Sequence, residues 1–297
     1  MGRIQSKRDM AFVVLNIALV TFVFLITLYP LVYILSASIS DPYAVNRGEL
    51  WLWPVGLNFS GIQKLLQYKD IWIGYRNTIY YTLVGTSINL FVTLPCAYAL
   101  SRKDFLAGGA FMKFILVTMF FGGGLIPTYI LVSNLHMLNS IWALVLPNAA
   151  TVYNIIVSRT FYSSTIPHEL EEAAEIDGMN EFGIYLKVVL PLSIPIIVVM
   201  AIYYGVDQWN SYFNAMIYIT DRAKFSLQLI LREILIVNSM NNVVAQSTDP
   251  DALQQLMVTA LLIKYGAMIV STAPLVALYL FGQRFFMKGV MIGSIKG

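Results

Sequence analysis

Six stretches of the chain stay apolar for about 20 residues or more, the length needed to cross the hydrocarbon core of a bilayer. They cover residues 11–35, 78–100, 111–132, 141–161, 190–219 and 264–285. The pattern predicts an all-α polytopic membrane protein whose single transmembrane domain occupies residues 1–297. Between the fourth and fifth stretches lies one polar helical segment, residues 167–187, and it has its own internal periodicity. Pro167 suits the first position of a helix, where its missing N–H is not needed, and Glu169, Glu171 and Glu172 put negative charge near the positive end of the macrodipole. Leu170, Ala173, Ala174 and the turn of Asp177 follow the i, i+3, i+4, i+7 spacing of one face, with Glu171, Glu172 and Glu175 mostly elsewhere on the cylinder. Gly178 can take the left-handed conformation that stops a helix, and Asn180 can cap a second, short helix running toward Lys187 and the next span. The prediction for this segment is a helix, a turn and a helix.

Six spans put both ends of the chain on one side. With that side cytoplasmic, the short inner segments hold Arg3, Lys7, Arg8, Arg102, Lys103, Lys113, Arg159, Lys187, Arg284, Lys288 and Lys296. The remaining basic residues, including Arg47, Arg76, Arg222 and Lys224, fall on two long outer loops and their edges. That distribution agrees with the positive-inside rule, which is counted over short loops. The first outer loop, rich in Trp51, Trp53, Trp72 and tyrosines, suits the bilayer interface, and residues 61–70 can form a short interfacial helix. The second, residues 220–263, is partly amphipathic, with turn signals at Asn241-Asn242 and Asp249-Pro250-Asp251. Within the third span, Gly122-Gly123-Gly124 either lets neighbouring backbones approach or opens a kink, and close packing is the expectation.

Composition sharpens the class. At 58% hydrophobic residues, 12% charged residues and a mean hydropathy of +0.70, the chain is too apolar for a soluble domain and too poor in charge for a disordered one. A net charge of +3 without a basic run gives nucleic acid no footprint. Cys96, the single cysteine, sits in an apolar span and is expected to be a small buried hydrophobe. The basic start ahead of a long apolar run is predicted to be a retained anchor, since that run is too long for a cleaved signal. His136 and His168 lie far apart without ligand-spaced partners, so no metal is expected.

The string Glu172-Ala173-Ala174, three residues, Gly178, nine residues, Val188, one residue, Leu190-Pro191 resembles the cytoplasmic "EAA" loop of ABC importer permeases, departing only by Val188 for isoleucine. Asn77, the run Ala97-Tyr98-Ala99-Leu100-Ser101-Arg102 and Ile166-Pro167 are similar to the second permease of carbohydrate ABC importers. The ending Phe286 to Gly297, with its Gly293-x-x-Lys296-Gly297, resembles the tail of the maltose-type inner permease, and its wording is similar to oligo- and polysaccharide members, including the alginate type. The resemblance implies a type I ABC importer permease fold in the bacterial cytoplasmic (inner) membrane, N- and C-termini cytoplasmic. Its implied partners are a homologous second permease, two copies of an ABC ATPase, an extracytoplasmic solute-binding protein and the lipid bilayer. It further implies that Glu172, Ala173, Ala174, Asp177, Gly178, Leu190 and Pro191 belong to a coupling helix in an ATPase cleft, and that Lys296 and Gly297 reach the ATPase interface.

The fifth span carries the densest polar set at membrane depth, Asp207, Gln208, Trp209, Asn210, Tyr212 and Asn214. Polar groups there normally face a bundle interior or a watery path. Aromatic faces beside amides suit a sugar, whose C–H faces stack and whose hydroxyls hydrogen-bond, and the resemblance implies a Trp-Asn element near the translocation path. On one ideal helix Trp209 and Tyr212 share a side and Asn210 and Asn214 another. Trp209, Asn210, Tyr212 and Asn214 are the candidate substrate-path residues; one pair is expected to face the path and the other to pack against a neighbouring span, with Trp209 and Tyr212 the stacking pair and Asn210 at the margin.

No Gly-x-x-x-x-Gly-Lys-Ser/Thr loop is present, so ATP and Mg are expected on the separate ATPase and no cofactor on this chain. Gly-x-Ser-x-Gly and His-Glu-x-x-His are absent too, which argues against a membrane enzyme. The function implied is a permease subunit of an ATP-driven importer for an oligo- or polysaccharide. The alternative is the same role for another solute class, because the coupling motif is common to ABC importers.

Overall fold

The computed structural model describes residues 7–244 and 250–293. In chain order its α-helices are α1 (Lys7–Ser38), α2 (Pro42–Asn46), α3 (Ser60–Gln67), α4 (Lys69–Ser101), α5 (Gly108–Phe120), α6 (Leu125–Asn134), α7 (Ile141–Val145), α8 (Val152–Thr165), α9 (His168–Ile176), α10 (Glu181–Ile184), α11 (Leu190–Leu192), α12 (Ile194–Asn210), α13 (Phe213–Tyr218), α14 (Leu227–Val244) and α15 (Pro250–Gly293). Among the described residues there is no strand, only an isolated bridge between Ser40 and Leu57. Two compact units result, one of Met1–Lys69 with Leu231–Ala273, the other of Asp70–Ile230 with Pro274–Gly297.

Among the described residues, three helices are individually long and apolar enough to cross a membrane: Asp9–Ser38, Lys69–Ser101 and Ala260–Leu280. The stretches expected as the third, fourth and fifth spans are instead bent pairs. Gly108–Phe120 meets Leu125–Asn134 at 112°, Ile141–Asn148 meets Val152–Thr165 at 54°, and Glu181–Leu192 meets Ile194–Asn210 at 80°. Up to six crossings result if each pair counts as one. The glycine triplet therefore opens a break and does not serve close packing. Gly124 takes φ +82°, and a Cβ at Gly122 or Gly124 would meet nothing within 4 Å. The second outer loop also differs from its prediction, since its described part is helical, in α14 and the start of α15. The short interfacial helix expected near residue 61 is present as α3.

In the first unit, α1 is exposed along most of its length and becomes buried only at Ser36, Ala37 and Ser38. There Ser36 Oγ donates to Leu52 O at 2.5 Å and Ser40 Oγ to Ser36 O at 2.5 Å, while Ser40 Oγ accepts from Val55 N at 3.2 Å. These bonds tie the helix end to the following loop around Ala37, Val45 and Leu50.

The second unit is organised along α4. Tyr81 joins one apolar cluster with Leu144, Val145 and Ala215; Leu94 joins another with Ile196, Met200 and Tyr204; Ala97, Tyr98 and Leu100 join a third with Ile155, Tyr162 and Ala174. Polar side chains between them meet the backbone groups that broken helices leave without intrahelical partners. Asn77 Nδ2 donates to the carbonyls of Ala223 at 2.8 Å and Phe225 at 3.0 Å, Tyr81 Oη donates to Lys224 O, and Thr78 Oγ1 accepts from Leu227 N at 2.8 Å. Further along, the fully buried Asn89 donates to Asn148 O at 2.7 Å and Ala149 O at 2.9 Å and accepts from Gln208 Nε2 at 3.2 Å. Thr93 Oγ1 pairs with Tyr204 Oη at 2.6 Å, and that hydroxyl also accepts from Thr151 N at 3.3 Å.

Replacing Asn89 by alanine strands two carbonyls at the α7–α8 break and leaves Gln208 unmatched. A buried polar group left unsatisfied costs about 1–3 kcal/mol. We expect Asn89→Ala to lower the thermal unfolding midpoint of the purified protein in detergent clearly, and an unchanged midpoint would contradict this role.

Candidate functional site

The polar segment between α8 and α12 folds as a helix, a turn and a helix. Helix α9 begins at His168, one residue later than predicted. Pro167 is its N-cap, its own backbone extended (φ −66°, ψ 134°), and Ile166 before it is extended too, as a residue preceding proline favours. At the other end Gly178 takes φ +79°. Its N–H donates to Glu175 O at 2.9 Å and that of Met179 to Ala174 O at 3.0 Å, the paired bonds of a Schellman motif. Asn180 then caps α10, its Oδ1 accepting from Gly183 N at 2.8 Å. Beyond α10 the helix widens into a π turn over Tyr185–Val189 and reaches Leu190 and Pro191. Pro191 has no N–H to offer the carbonyl of Lys187, which favours such a distortion. Ser193 Oγ donates to Val189 O at 2.6 Å at the bend into α12.

The inward face of α9 is not the one that apolar spacing predicts. Ala174 is buried, but so is Glu171, 6% exposed, whereas Leu170, Ala173 and Asp177 lie outside. The reason is Arg102, just past the end of α4, whose side chain is 7% exposed. Its Nη1 donates to Glu171 Oε2 at 3.3 Å and Tyr98 Oη at 3.2 Å. Nη2 reaches Glu175 Oε1 at 3.3 Å and Glu181 Oε1 at 3.2 Å, while Nε and Nη2 grip Asp104 at 2.9 and 2.7 Å. One guanidinium thus holds both α9 and α10. An ion pair overrides the amphipathic pattern of a nine-residue helix with few apolar residues to bury. The hydrogen bond from Arg102 holds the Asp104 carboxyl below its ordinary range, and the same bond raises the guanidinium against the opposing effect of burial. That contact contributes above the ordinary carboxylate range, near pH 4, and is lost as pH falls through the depressed value. His168 Nδ1 adds a contact to Glu171 Oε2 at 3.0 Å.

Beneath the ion cluster, Tyr98 meets Tyr162 (5.7 Å between ring centroids, 71°) and Tyr185 (5.2 Å, 30°), and Ile184 and Val189 are fully buried. The underside of the segment is therefore fixed, while Leu170, Ile176 (87% exposed) and Phe182 (70% exposed) project from its outer side. Glu172, Ala173 and Asp177 lie on that exposed surface, Pro191 is exposed and Leu190 half-buried. Lys296 and Gly297 fall outside the described residues.

The polar set of the fifth span does not lie on one helix. α12 ends at Asn210, Ser211 takes φ −71°, ψ 85°, and α13 starts at Phe213. Trp209 and Tyr212 therefore do not share a side. Trp209 is 6% exposed with its ring 6.2 Å from that of Tyr75, whereas Tyr212 is 41% exposed. Asn210 is exposed and returns its side chain to its own helix, Nδ2 donating to Val206 O at 2.9 Å; Asn214 is half-buried. Gln208 bonds across to α4, its Nε2 donating to Asn89 Oδ1 at 3.2 Å. Sequence reasoning missed the roles of Arg102 and Asn89. A lone arginine ending an apolar span, followed by a segment with several glutamates, was the available signal for the first.

The family model described as "Binding-protein-dependent transport system inner membrane component" matches residues 71–291. The chain is 33% identical over 293 residues to Protein LplC of Bacillus subtilis (strain 168), covering 99% of this chain and 97% of that one. It is 34% identical over 278 residues to the polygalacturonan/rhamnogalacturonan transport system permease protein YtcP of the same organism, covering 92% and 94%. A crystal structure of a bacterial ABC transporter involved in the import of the acidic polysaccharide alginate contains a chain similar at TM-score 0.79 and 32% identity, with 96% of this chain and 100% of that one covered. With a helical fold, bent membrane-length pairs and a clamped polar helix-turn-helix, the chain belongs to the family of inner membrane components of binding-protein-dependent transport systems.

Proposed function

We propose that this chain is one permease half of an ATP-driven importer for an oligo- or polysaccharide, with α9 and α10 as the element that receives motion from a separate ATPase. The observation that carries the reading is the clamped segment: fixed beneath by Arg102 and the tyrosine cluster, apolar and exposed above at Leu170, Ile176 and Phe182. An exposed apolar patch on a rigid support is the surface a partner cleft needs. The transport proteins similar to this chain support a saccharide as cargo. In this reading six crossings, three of them bent, place both termini and the coupling segment on the cytoplasmic side. A homologous permease, two ATPase copies carrying ATP and Mg, and an extracytoplasmic solute-binding protein complete the assembly. The tail ending in Lys296 and Gly297 reaches the ATPase interface.

Mechanically, closure of the ATPase dimer displaces α9 and α10 as one body. Arg102 and the tyrosine cluster pass that displacement to α4 and α8, and the bundle alternates between outward and inward access. Tyr212, exposed beside the break in α12, is a path residue in this reading, whereas Trp209 seats α12 against Tyr75.

Three experiments on the reconstituted complex test this. Gly178→Val forces a β-branched residue into positive φ, a strain of about 1–2 kcal/mol, and is expected to lower sugar uptake per ATP hydrolysed; normal coupling with normal assembly would refute the turn's role. Arg102→Lys keeps the charge but loses the planar fork, so it should reduce uptake several-fold with the complex still assembled, and retained uptake would count against the clamp. Tyr212→Ala should impair uptake while leaving the amount of complex normal, and Trp209→Ala should reduce the amount of complex itself. Loss of complex in both would remove Tyr212 from the path.

A further inference from the structure

Helix α4 carries a second polar end. Counting 26 residues back from Arg102 to Arg76 at 1.5 Å per residue gives about 39 Å, more than the thickness of the hydrocarbon core. On the importer reading, on which this inference rests, Arg76 therefore lies at the extracytoplasmic interface when Arg102 lies at the cytoplasmic one. Around Arg76 the second unit has a cavity of about 560 Å³ whose walls include Tyr80, Tyr81, Asn139, Ser140 and Lys224. That volume falls in the range of small-molecule sites, about 300–1,000 Å³, and far exceeds what a lone inorganic anion fills.

The walls divide into groups already committed and groups still available. Asn77 and Tyr81 spend their donors on the carbonyls of residues 223–225, and Asn139 Oδ1 accepts from the backbone N–H groups of Thr220 and Asp221. These bonds make the wall stiff. Asn139 sits at φ +58°, which an asparagine tolerates, and its own N–H donates to Tyr218 O. By contrast, the exposed Arg76 makes no ion pair among the described residues, and its one hydrogen bond is a 3.4 Å contact from Nη2 to Asn77 Oδ1. Lys224 Nζ donates to Asn139 O at 2.9 Å and stands 3.7 Å from Asp221 Oδ2, with a third proton in hand. The nearby Asp70 is taken by Arg222 at 2.8 Å. Tyr80, four residues after Arg76 on the same face of α4 and 53% exposed, offers a ring.

We propose that this cavity is a docking site for a carboxylate-bearing saccharide, a uronate oligomer, at the outer mouth of the permease. Arg76 receives the carboxylate through its planar fork, Lys224 adds a second positive charge, and the Tyr80 ring packs against the sugar's C–H face. A neutral sugar would leave the Arg76 fork unmatched. An anionic lipid headgroup would satisfy the charges but make no use of the ring, and for that reason we assign the site to the sugar.

The test uses the whole complex, with its second permease and ATPases, in nanodiscs of zwitterionic lipid without the binding protein. The probes are a galacturonate trisaccharide and the neutral galactose trisaccharide, followed by saturation-transfer NMR titration. The uronate trimer should bind and the neutral one should bind at least about tenfold more weakly, the scale of one charge-assisted hydrogen bond. Arg76→Gln should weaken the uronate about tenfold and Arg76→Lys should recover part of that loss, with complex yield the same in all three proteins. Equal binding of the two sugars, no binding of the uronate, or insensitivity to Arg76→Gln would each overturn the assignment. So would complete displacement of the uronate on adding anionic lipid, which would make the cavity a headgroup site. Uptake of either trisaccharide in proteoliposomes supplied with the binding protein is measured in parallel. Uptake without binding at the cavity removes this inference alone, whereas absence of any saccharide uptake removes the importer reading.

Discussion

A backbone that breaks its helix at membrane depth must still satisfy the groups the break releases, since lipid offers no hydrogen bonds. The second unit meets that demand from one side. Asn89 serves the backbone of 148–149 and the Thr93 and Tyr204 hydroxyls serve Thr151, while toward the Lys69 end Asn77, Thr78 and Tyr81 serve the connection of residues 223–227 in the same way. All but Tyr204 stand on α4, a continuous helix with a single internal proline. An unbroken helix whose inner face is polar at chosen positions is thus what allows its neighbours to be irregular. The bend between Ile141–Asn148 and Val152–Thr165 depends on it for partners that water would supply elsewhere.

The ion cluster at the end of α4 is governed by burial more than by the number of charges. Exposed ion pairs contribute about 0.2–1 kcal/mol, whereas removing one partner of a buried pair costs about 3–5 kcal/mol. Asp104, Glu175 and Glu181 are about half exposed or more, and Glu171 is buried with Arg102. The Arg102–Glu171 pair therefore sets the rotation of α9, and the other carboxylates mainly neutralise and aim the guanidinium. This is also why the helix turns Leu170 outward. A short helix with little apolar area gains less from burying one leucine than it would lose by leaving Arg102 and Glu171 apart.

Much of this was legible in the sequence where local rules act alone. The stop at Gly178, the cap at Asn180, α3 and the two long helices α1 and α4 follow from residue type and spacing over a few residues. What was not legible depended on partners far along the chain. Glu171 faces inward because of a residue 69 positions away. Trp209 and Tyr212 separate because the helix stops at Asn210, and the apolar run passes through that break without a Gly or Pro to announce it. The glycine triplet offered two physical outcomes, and only the surrounding open space decides between them.

The uneven lengths of the helices also bear on how the chain sits in the bilayer. α1 contains a 30-residue candidate span, Asp9–Ser38, with none of its most apolar window buried, so it is long enough to cross without a partner helix. α4 is long enough as well. The halves of the bent pairs, such as the 13 residues of α5 and 10 of α6, are too short to cross alone and carry unmatched backbone groups where they meet. The break between α7 and α8 finds its partners on α4, where Asn89 meets the carbonyls of Asn148 and Ala149. A break of that kind is compatible with lipid only beside a long continuous helix, which makes the uninterrupted helices the scaffold and the broken ones their dependents.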